Sequence, residues 1–196
     1  MMKSQALQLI AECVSKCTLC PDLTDYRTAR HYKTVPGAGS PVAKLMIVGE
    51  GPGESEAYEG LPFVGPAGKL LGRILQSLGL TREQVFIANI VRCRPPGNRV
   101  PTADEAGNCR RFLDLQIECI KPEWILCLGK TASAYLLGKP EDVYMGDLRG
   151  VHSYRGMNVV CTYHPAYVLR NASAADDVWH DIQPLVQWLQ NQDPAD

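Results

Sequence analysis

Short apolar runs separated by turn-forming residues recur along this chain, and their spacing predicts strands that alternate with helices. Apolar residues at helical spacing over 67–78 predict a helix that ends at Gly79. Strands that alternate with helices indicate a parallel sheet covered on both faces, so we predict an α/β fold. The runs with the length and composition of buried strands are residues 45–48, 85–88, 124–128 and 159–162.

Caps and periodicity predict the remaining elements. Ser4 can cap a first helix, and the capping box at 102–105 opens a helix that runs to about residue 119. A short helix is predicted over 130–137 and a closing helix over 177–189. Because residues 21–43 are polar and rich in turn formers, we predict an irregular segment there.

The loop at residues 49–68 carries the densest chemical signal. It reads GEGPGESEAYEGLPFVGPAG, with six glycines and three prolines, a content that disfavours a helix or strand interior. Glycine lets backbone amides approach a ligand closely, proline stiffens the frame, and Phe63 adds a ring. We therefore expect this loop to form the wall of a pocket for a small, planar, polar ligand.

Two other segments accompany this loop at the same edge of the predicted sheet. Asn89 ends the second strand and His164 follows the fourth, where ligands bind in parallel sheets. Taken singly, Phe63 is typical of a core residue, Asn89 of a turn and His164 of a strand end. Their coincidence at one edge favours a binding site. The glycine spacing fits neither the dinucleotide fingerprint nor the phosphate-binding Walker loop.

Composition limits the classes of protein to which the chain can belong. Its 196 residues, 45% of them hydrophobic, suffice for one core, so we predict a single domain over 1–196. No apolar stretch has the length of a membrane span and no signal-peptide pattern opens the chain, so we expect a cytoplasmic protein. Because the net charge is −1, a polyanion would need a local basic patch.

Eight cysteines are many for such a chain, and in a reducing compartment metal ligation or burial explains them better than disulfides. A C-x2-C pair and two later cysteines can together make a four-cysteine metal site, namely Cys17, Cys20, Cys93 and Cys109. The wide spacing of the later pair favours an iron–sulfur cluster over a zinc ribbon. Three others lie in apolar runs and are predicted core thiols: Cys119, Cys127 and Cys161.

A competing cysteine pattern begins one helical turn earlier, at Cys13. Cys13-x3-Cys17-x2-Cys20 has the spacing of radical-SAM enzymes, but it precedes the first strand and the chain is short for a barrel. Arginines near the later cysteines can offset the charge of a cluster, hold phosphates or simply face solvent. These are Arg92, Arg94, Arg99, Arg110 and Arg111.

Four motifs in order resemble the family 4 uracil-DNA glycosylases, the iron–sulfur class of bacteria and archaea. They read GEGPGESE, GLPFVGPAGKLL, ANIVRCRPPGNR and HPAYVLRN, and the resemblance runs from Cys17 almost to the C-terminus. It implies a three-layer α/β/α fold around a four-stranded parallel sheet, with an N-terminal helix that carries two cluster cysteines. The implied ligands of a [4Fe–4S] cluster are Cys17, Cys20, Cys93 and Cys109.

The same resemblance implies an activity and a substrate. A monofunctional enzyme of base excision repair would flip uracil out of single- or double-stranded DNA. It would then hydrolyse the N-glycosidic bond and leave an abasic site. We expect such an enzyme to act as a monomer at the nucleoid, with a sliding clamp as a candidate partner.

Carried over residue by residue, the resemblance implies roles for the predicted pocket. Phe63 would stack on uracil, and Asn89 would read the Watson–Crick edge of the base. The Gly51 amide and His164 would contact the base oxygens, where fixed donors stabilise the anion that forms as uracil departs. Gly53 belongs to the same substrate-binding loop.

Catalytic and DNA-contacting positions complete the implied site. Glu50 and Glu56 are candidates for the activation of water, because the motif lacks the Asp that family 1 enzymes use for this step. Ala57 stands where the family often has Asp. The positions expected to contact DNA are Leu169, Arg170, Arg94 and Arg99.

Other functions remain open at this point. One is an iron–sulfur protein that binds uracil-containing or damaged DNA with little or no turnover. A related subgroup traps such DNA through a His on an inserted loop, but residues 94–102 contain neither a His nor an insertion. The others are a radical-SAM protein and a zinc protein.

Overall fold

A mixed sheet forms the middle layer of the computed structural model, which describes residues 2–140 and 142–192. Its six strands within these residues are β1 (Ala38–Gly39), β2 (Leu45–Gly49), β3 (Phe86–Asn89), β4 (Trp124–Leu128), β5 (Gly150–Tyr154) and β6 (Met157–Thr162). They lie in the spatial order β1-β3-β2-β4-β6-β5. The four predicted strands correspond to β2, β3, β4 and β6, and they pair in parallel.

The prediction of a four-stranded, all-parallel sheet is right in the middle of the sheet and wrong at its edges. β1 pairs antiparallel with β3, and β5 pairs antiparallel with β6. β1 has only two residues, and β5 is half exposed along its length. Neither strand therefore carries the continuous apolar run that marks a buried strand in a sequence.

Helices cover both faces of the sheet, which confirms the three predicted layers. The α-helices of the described residues are α1 (Met2–Ser15), α2 (Pro21–Ala29), α3 (Glu54–Glu59), α4 (Pro66–Ser77), α5 (Ala103–Ile120), α6 (Lys130–Leu137), α7 (Met145–Leu148), α8 (Pro165–Arg170), α9 (Ala174–Asp181) and α10 (Gln183–Gln190). On one face of the sheet α5 and α6 bury Leu113 and Leu136, and on the other α4 and α10 bury Leu71 and Leu185.

Four predictions of local structure were wrong. Ser4 does not cap the first helix, because α1 already includes Met2 and Ser4 lies inside it. Residues 21–43 contain α2 and β1, because Pro21 opens a helix whose Leu23 reaches the core. α3 lies inside the glycine-rich loop, with acidic residues in its first turn and Gly60 at its end, both of which are helix signals. The predicted closing helix is divided into α9 and α10, with Pro184 in the first turn of α10.

Other predictions were confirmed. In the capping box the Glu105 amide donates to Thr102 Oγ1 at 3.2 Å, and the Thr102 amide donates to Glu105 Oε2 at 2.8 Å. β4 and α6 have the predicted bounds. Cys127 and Cys161 are buried as predicted, whereas Cys119 is only partly buried. Within 2–140 and 142–192, none of the helices is long and apolar enough to cross a bilayer.

The carboxyl ends of the parallel strands lie level at one edge of the sheet. Gly49 at the end of β2 is in register with Asn89 at the end of β3. Leu128 at the end of β4 is likewise in register with Thr162 at the end of β6. The segments that follow these strands therefore meet at a single edge, where ligands bind in parallel sheets.

Two glycines of α4 allow a matched test of how closely the loop that contains Phe63 packs against this helix. A side-chain carbon at Gly68 would lie 1.7 Å from the Phe63 carbonyl oxygen, whereas at Gly72 it would meet nothing within 4 Å. We expect Gly68→Ala to lower the free energy of unfolding by about 3 kcal/mol, because the loop must move. Gly72→Ala should raise it by about 0.5–1 kcal/mol, because alanine favours helix.

Urea denaturation of the two variants measures both effects. Equal stabilities of the two variants would contradict the close approach of Phe63 to α4.

Candidate functional site

A cleft of about 730 Å³ opens at the edge where the parallel strands end. This volume is typical of sites for small ligands. Most of the predicted site residues line the cleft. They are Glu50, Gly51, Gly53, Glu56, Phe63, Asn89, Arg99, His164, Leu169 and Arg170.

Gly49 fixes the spacing between the Phe63 ring and the Asn89 side chain. A side-chain carbon at Gly49 would lie 2.5 Å from Asn89 Oδ1 and 2.7 Å from Phe63 Cζ. Both distances are shorter than van der Waals contact, so the ring and the carboxamide both lie against this glycine. The predicted neighbourhood of Phe63 and Asn89 is therefore present.

The Phe63 ring is held on an unusual backbone. Its φ is 53°, in the left-handed region that aromatic residues rarely adopt, and the residue is only 6% exposed. Arg82 Nη1 donates to the Phe63 carbonyl at 2.7 Å and helps to keep this conformation. The ring stacks on His164 with a centroid distance of 5.6 Å and an interplanar angle of 29°. Strain of this kind occurs where a site needs a side chain in one orientation.

Asn89 is 1% exposed, and its Oδ1 has no hydrogen-bond partner among the described residues. Buried polar atoms are nearly always hydrogen-bonded, because an unmade bond costs about 1–3 kcal/mol. The side chain lines the cleft. An unpaired acceptor therefore lies at the wall of the cleft.

His164 caps the N-terminus of α8. Its Nδ1 accepts a hydrogen bond from the Ala166 amide at 3.1 Å, which leaves the proton of the neutral ring on Nε2. Burial and, to a lesser degree, the nearby Arg170 cation lower the pKa of His164 to about 4, against the opposing effect of Glu56. At neutral pH the ring is thus an uncharged donor at the cleft.

Glu56 organises the loop that carries Phe63. Its Oε1 accepts hydrogen bonds from the amides of Val64 and Gly65 at 2.9 and 2.8 Å, just before α4 begins. A carboxylate at a helix N-terminus is favourable. Glu50 also lines the cleft, and its carbonyl accepts a hydrogen bond from the Val91 amide at 3.2 Å.

The arginines predicted to contact DNA occupy different surroundings. Arg94 is 9% exposed, and its guanidinium donates to Tyr32 Oη at 2.6 Å and to Glu54 Oε1 at 3.0 Å. Arg99 lines the cleft but makes a two-bond ion pair with Glu105. Arg170 and Leu169 are exposed at the end of α8, on the cleft wall. Arg94 is thus engaged inside the protein.

The four predicted ligand cysteines are free thiols, and burial raises the pKa of three of them, Cys20, Cys93 and Cys109, with a smaller contribution from the nearby Cys17. Burial raises the pKa of Cys93 to about 11, and Arg27 opposes this rise by donating from Nη1 to Cys93 Sγ at 3.5 Å. Asn108 Nδ2 donates to Cys20 Sγ at 3.6 Å. In the described part of the chain, no group of three or more His, Cys, Asp or Glu side chains is arranged to hold a metal ion.

Several contributors to the site were missed from sequence. Lys130 and Thr131, at the start of α6, line the cleft beside Gly129. A glycine directly after the third strand was the available signal for this segment. Arg92 donates from Nη1 to the Asn89 carbonyl at 2.7 Å, and a cation beside an apolar run was its only signal.

Known proteins match this chain over most of its length. The model of the uracil DNA glycosylase superfamily matches residues 36–186. A type-4 uracil-DNA glycosylase of Saccharolobus solfataricus is 45% identical over 95% of this chain and 88% of its own.

Two further type-4 uracil-DNA glycosylases extend the match. The protein from Thermotoga maritima is 42% identical over 87% of both chains, and that from Archaeoglobus fulgidus is 36% identical over 97% of both. Matches of this identity and coverage establish membership of the family as well as the fold. The chain belongs to the uracil-DNA glycosylase superfamily and, within it, to the type-4 uracil-DNA glycosylases.

Proposed function

We propose that this chain removes uracil from DNA by hydrolysing the bond between the base and deoxyribose, leaving an abasic site for repair. Family membership supports the reaction. The observation that carries the assignment to this cleft is the unpartnered Oδ1 of Asn89 beside the Phe63 ring, across Gly49. Both groups lie where a flipped base would enter.

Asn89 suits the edge by which uracil differs from cytosine. Uracil presents an N3–H donor beside the O4 acceptor, and a carboxamide offers an acceptor beside a donor. Cytosine presents the opposite pattern, so its binding would leave buried polar groups unpaired. Sites that hydrogen-bond a substrate group in this way discriminate strongly against analogues that cannot form the same bonds.

The reaction needs stabilisation of negative charge on the departing base. We assign this role to the Nε2–H of neutral His164 and to the Gly51 amide, with Gly53 in the same loop. Fixed donors aimed at a developing anion contribute more than mobile water can. Because the His164 ring is neutral, its proton serves as a hydrogen bond and not as a transferable acid.

Two carboxylates are candidates for orienting the attacking water. Oε1 of Glu56 already accepts hydrogen bonds from the amides of Val64 and Gly65, which favours a supporting role for this residue. We therefore propose Glu50 as the residue that orients water and Glu56 as the residue that holds the Phe63 loop in place. No nucleophilic side chain is required, in agreement with a monofunctional hydrolase.

The exposed end of α8 is the proposed DNA contact. Leu169 is 50% exposed and can fill the space that the flipped base leaves. Arg170 and the cleft residue Arg99 would contact phosphates, whereas Arg94 would support the cleft from within. We propose that the protein acts on DNA as a monomer at the nucleoid.

We propose a [4Fe–4S] cluster on Cys17, Cys20, Cys93 and Cys109. The chemistry of the donor set fits, because all four residues are free thiols and Cys17 contributes to the raised pKa of each of the other three. Cys93 and Cys20 also receive N–H donors, from Arg27 and Asn108 respectively. Such a cluster would supply a covalent link between the segment after α1, the loop after β3 and α5. No step of glycosidic hydrolysis is assigned to it.

Asn89→Ala tests base recognition. We expect kcat/KM on a uracil-containing oligonucleotide to fall by about 10³-fold or more, because the base loses its matched partner. The control is Asn158→Ala, which removes an exposed carboxamide near the start of β6, at the end of the strand away from the cleft. This variant should retain activity. Strand scission after alkali measures both.

If wild-type protein in excess binds uracil-containing DNA but alkali produces no strand scission, the hydrolase proposal is contradicted and the binding-protein alternative is favoured. Equal activity of the two variants would remove Asn89 from the site.

His164→Asn tests the role of the imidazole through pH. With its pKa near 4, wild-type His164 stays neutral above pH 5, and activity should fall as pH drops through about 4 because protonation breaks the Ala166 bond. Asparagine keeps a donor without this titration, so the variant should lose about 10²-fold in kcat and lack that acid limb.

The depressed pKa also affects stability. The stability that His164 contributes is present above its unfolded pKa of 6.5 and is lost as pH falls toward 4. Melting temperature should therefore fall less between pH 7 and pH 4 in His164→Asn than in wild type. If activity and melting temperature fell equally at acid pH in wild type and in His164→Asn, the assignment of this pH dependence to His164 would be contradicted.

Serine variants test the cluster. Cys17→Ser, Cys20→Ser, Cys93→Ser and Cys109→Ser should each lower iron and sulfide content and the visible absorbance of anaerobically purified protein. Cys13→Ser is the matched control, because Cys13 is exposed on α1. Zinc in place of iron and sulfide, or cluster loss only in Cys13→Ser, would overturn the ligand assignment.

A further inference from the structure

Arg92 is a fully buried cation that donates a hydrogen bond to the backbone of Asn89, the residue proposed to recognise the base. It is 1% exposed, and it lies next to Cys93 in the chain, on the segment that leaves β3. Its Nη1 donates to the Asn89 carbonyl at 2.7 Å, and its Nη2 donates to Gln116 Oε1 at 2.7 Å. Nε has no partner among the described residues.

Burial of a guanidinium group carries an unfavourable desolvation free energy. Its guanidinium hydrogen-bond partners are a carbonyl and a carboxamide, not carboxylates. A buried ion needs an opposite charge nearby, and the cysteine side, with Cys109 and the proposed cluster, would supply it. The two hydrogen bonds of the guanidinium therefore fix the positions of Asn89 and Gln116 and do not neutralise its charge.

Asn89 needs support from outside its own side chain. Within the described part of the chain Oδ1 has no hydrogen-bond partner, so that atom does not anchor the carboxamide. The Asn89 backbone is instead fixed by β3 and by the Arg92 donor at its carbonyl. Gln116 continues this support, because its Nε2 donates to the Pro36 carbonyl at 2.6 Å and ties α5 to the chain before β1.

The other side of Cys93 is tied to the opposite wall of the cleft. Arg94 donates to Glu54 in the first turn of α3, and α3 carries Glu56. The segment 92–94 therefore holds β3 with one arginine and α3 with the other. The proposed cluster ligand Cys93 lies between these two anchors.

We propose that Arg92 is a positioning residue for base recognition, which holds the Asn89 carboxamide in the orientation that a uracil edge requires. This inference rests on the proposed role of Asn89. Arg92 does not touch the base. Its effect is on the backbone of the residue that does, so its loss should weaken binding of the base without weakening binding of DNA.

Arg92→Met and Arg92→Lys test this proposal. Methionine fills much of the same space without donors, and lysine keeps the charge without the two-pronged geometry. Arg110→Met is the matched control, because Arg110 lies beside Cys109 but pairs with Asp114. All proteins are compared at equal iron content per chain.

The readouts are the inhibition constant of free uracil and the dissociation constant of DNA that contains an abasic site. We expect Arg92→Met to raise the former by about tenfold or more, the effect of losing a charged hydrogen bond. Abasic-site binding should stay within about twofold, as should both constants of the control. Arg92→Lys should recover part of the loss.

An unchanged inhibition constant, or a parallel loss of uracil and abasic-site binding, would overturn the positioning role. If Arg92→Met does not fold, Arg92→Lys decides alone: a selective rise supports the proposal, and no rise overturns it. Wild-type protein that neither cleaves uracil-containing DNA nor binds uracil would refute the proposed function instead, so the two failures are distinguishable.

Discussion

The close approach of both Phe63 and Asn89 to Gly49 is the constraint on which the rest of the cleft depends. A side-chain carbon at this position would lie 2.5 Å from Asn89 Oδ1 and 2.7 Å from Phe63 Cζ, so only glycine leaves room for both side chains. The parallel register of β2 and β3 places Gly49 beside Asn89. The geometry is therefore built into the sheet, and a base that enters meets groups already oriented.

The protein keeps this arrangement by directing its polar contacts away from the cleft. Glu56 holds the amides that follow Phe63, and Arg82 holds the Phe63 carbonyl in its left-handed conformation. His164 uses Nδ1 to cap α8, which leaves Nε2–H for the cleft. Asn89 Oδ1 accepts no hydrogen bond from residues 2–140 and 142–192. The buried groups that face the cleft are the ones that a planar polar base can satisfy.

Much of this could be predicted from sequence, because the relevant signals are local. Apolar runs marked the four parallel strands, and the rule for strand ends brought Phe63, Asn89 and His164 together. Contacts over long distances in the chain carried no such signal. Arg94 was predicted to hold DNA, but its partners Tyr32 and Glu54 come from other segments. The edge strands were missed because their pairing, not their composition, makes them strands.

Release of the free base is the most direct test of the central claim that this cleft excises uracil. Wild-type protein is incubated with duplex DNA that carries one uracil, and the soluble fraction is analysed by mass spectrometry before any alkali is added. The account predicts free uracil in amounts equal to the abasic sites, with the DNA strand still intact. Bound DNA without released uracil, or strand breaks without alkali, would contradict it.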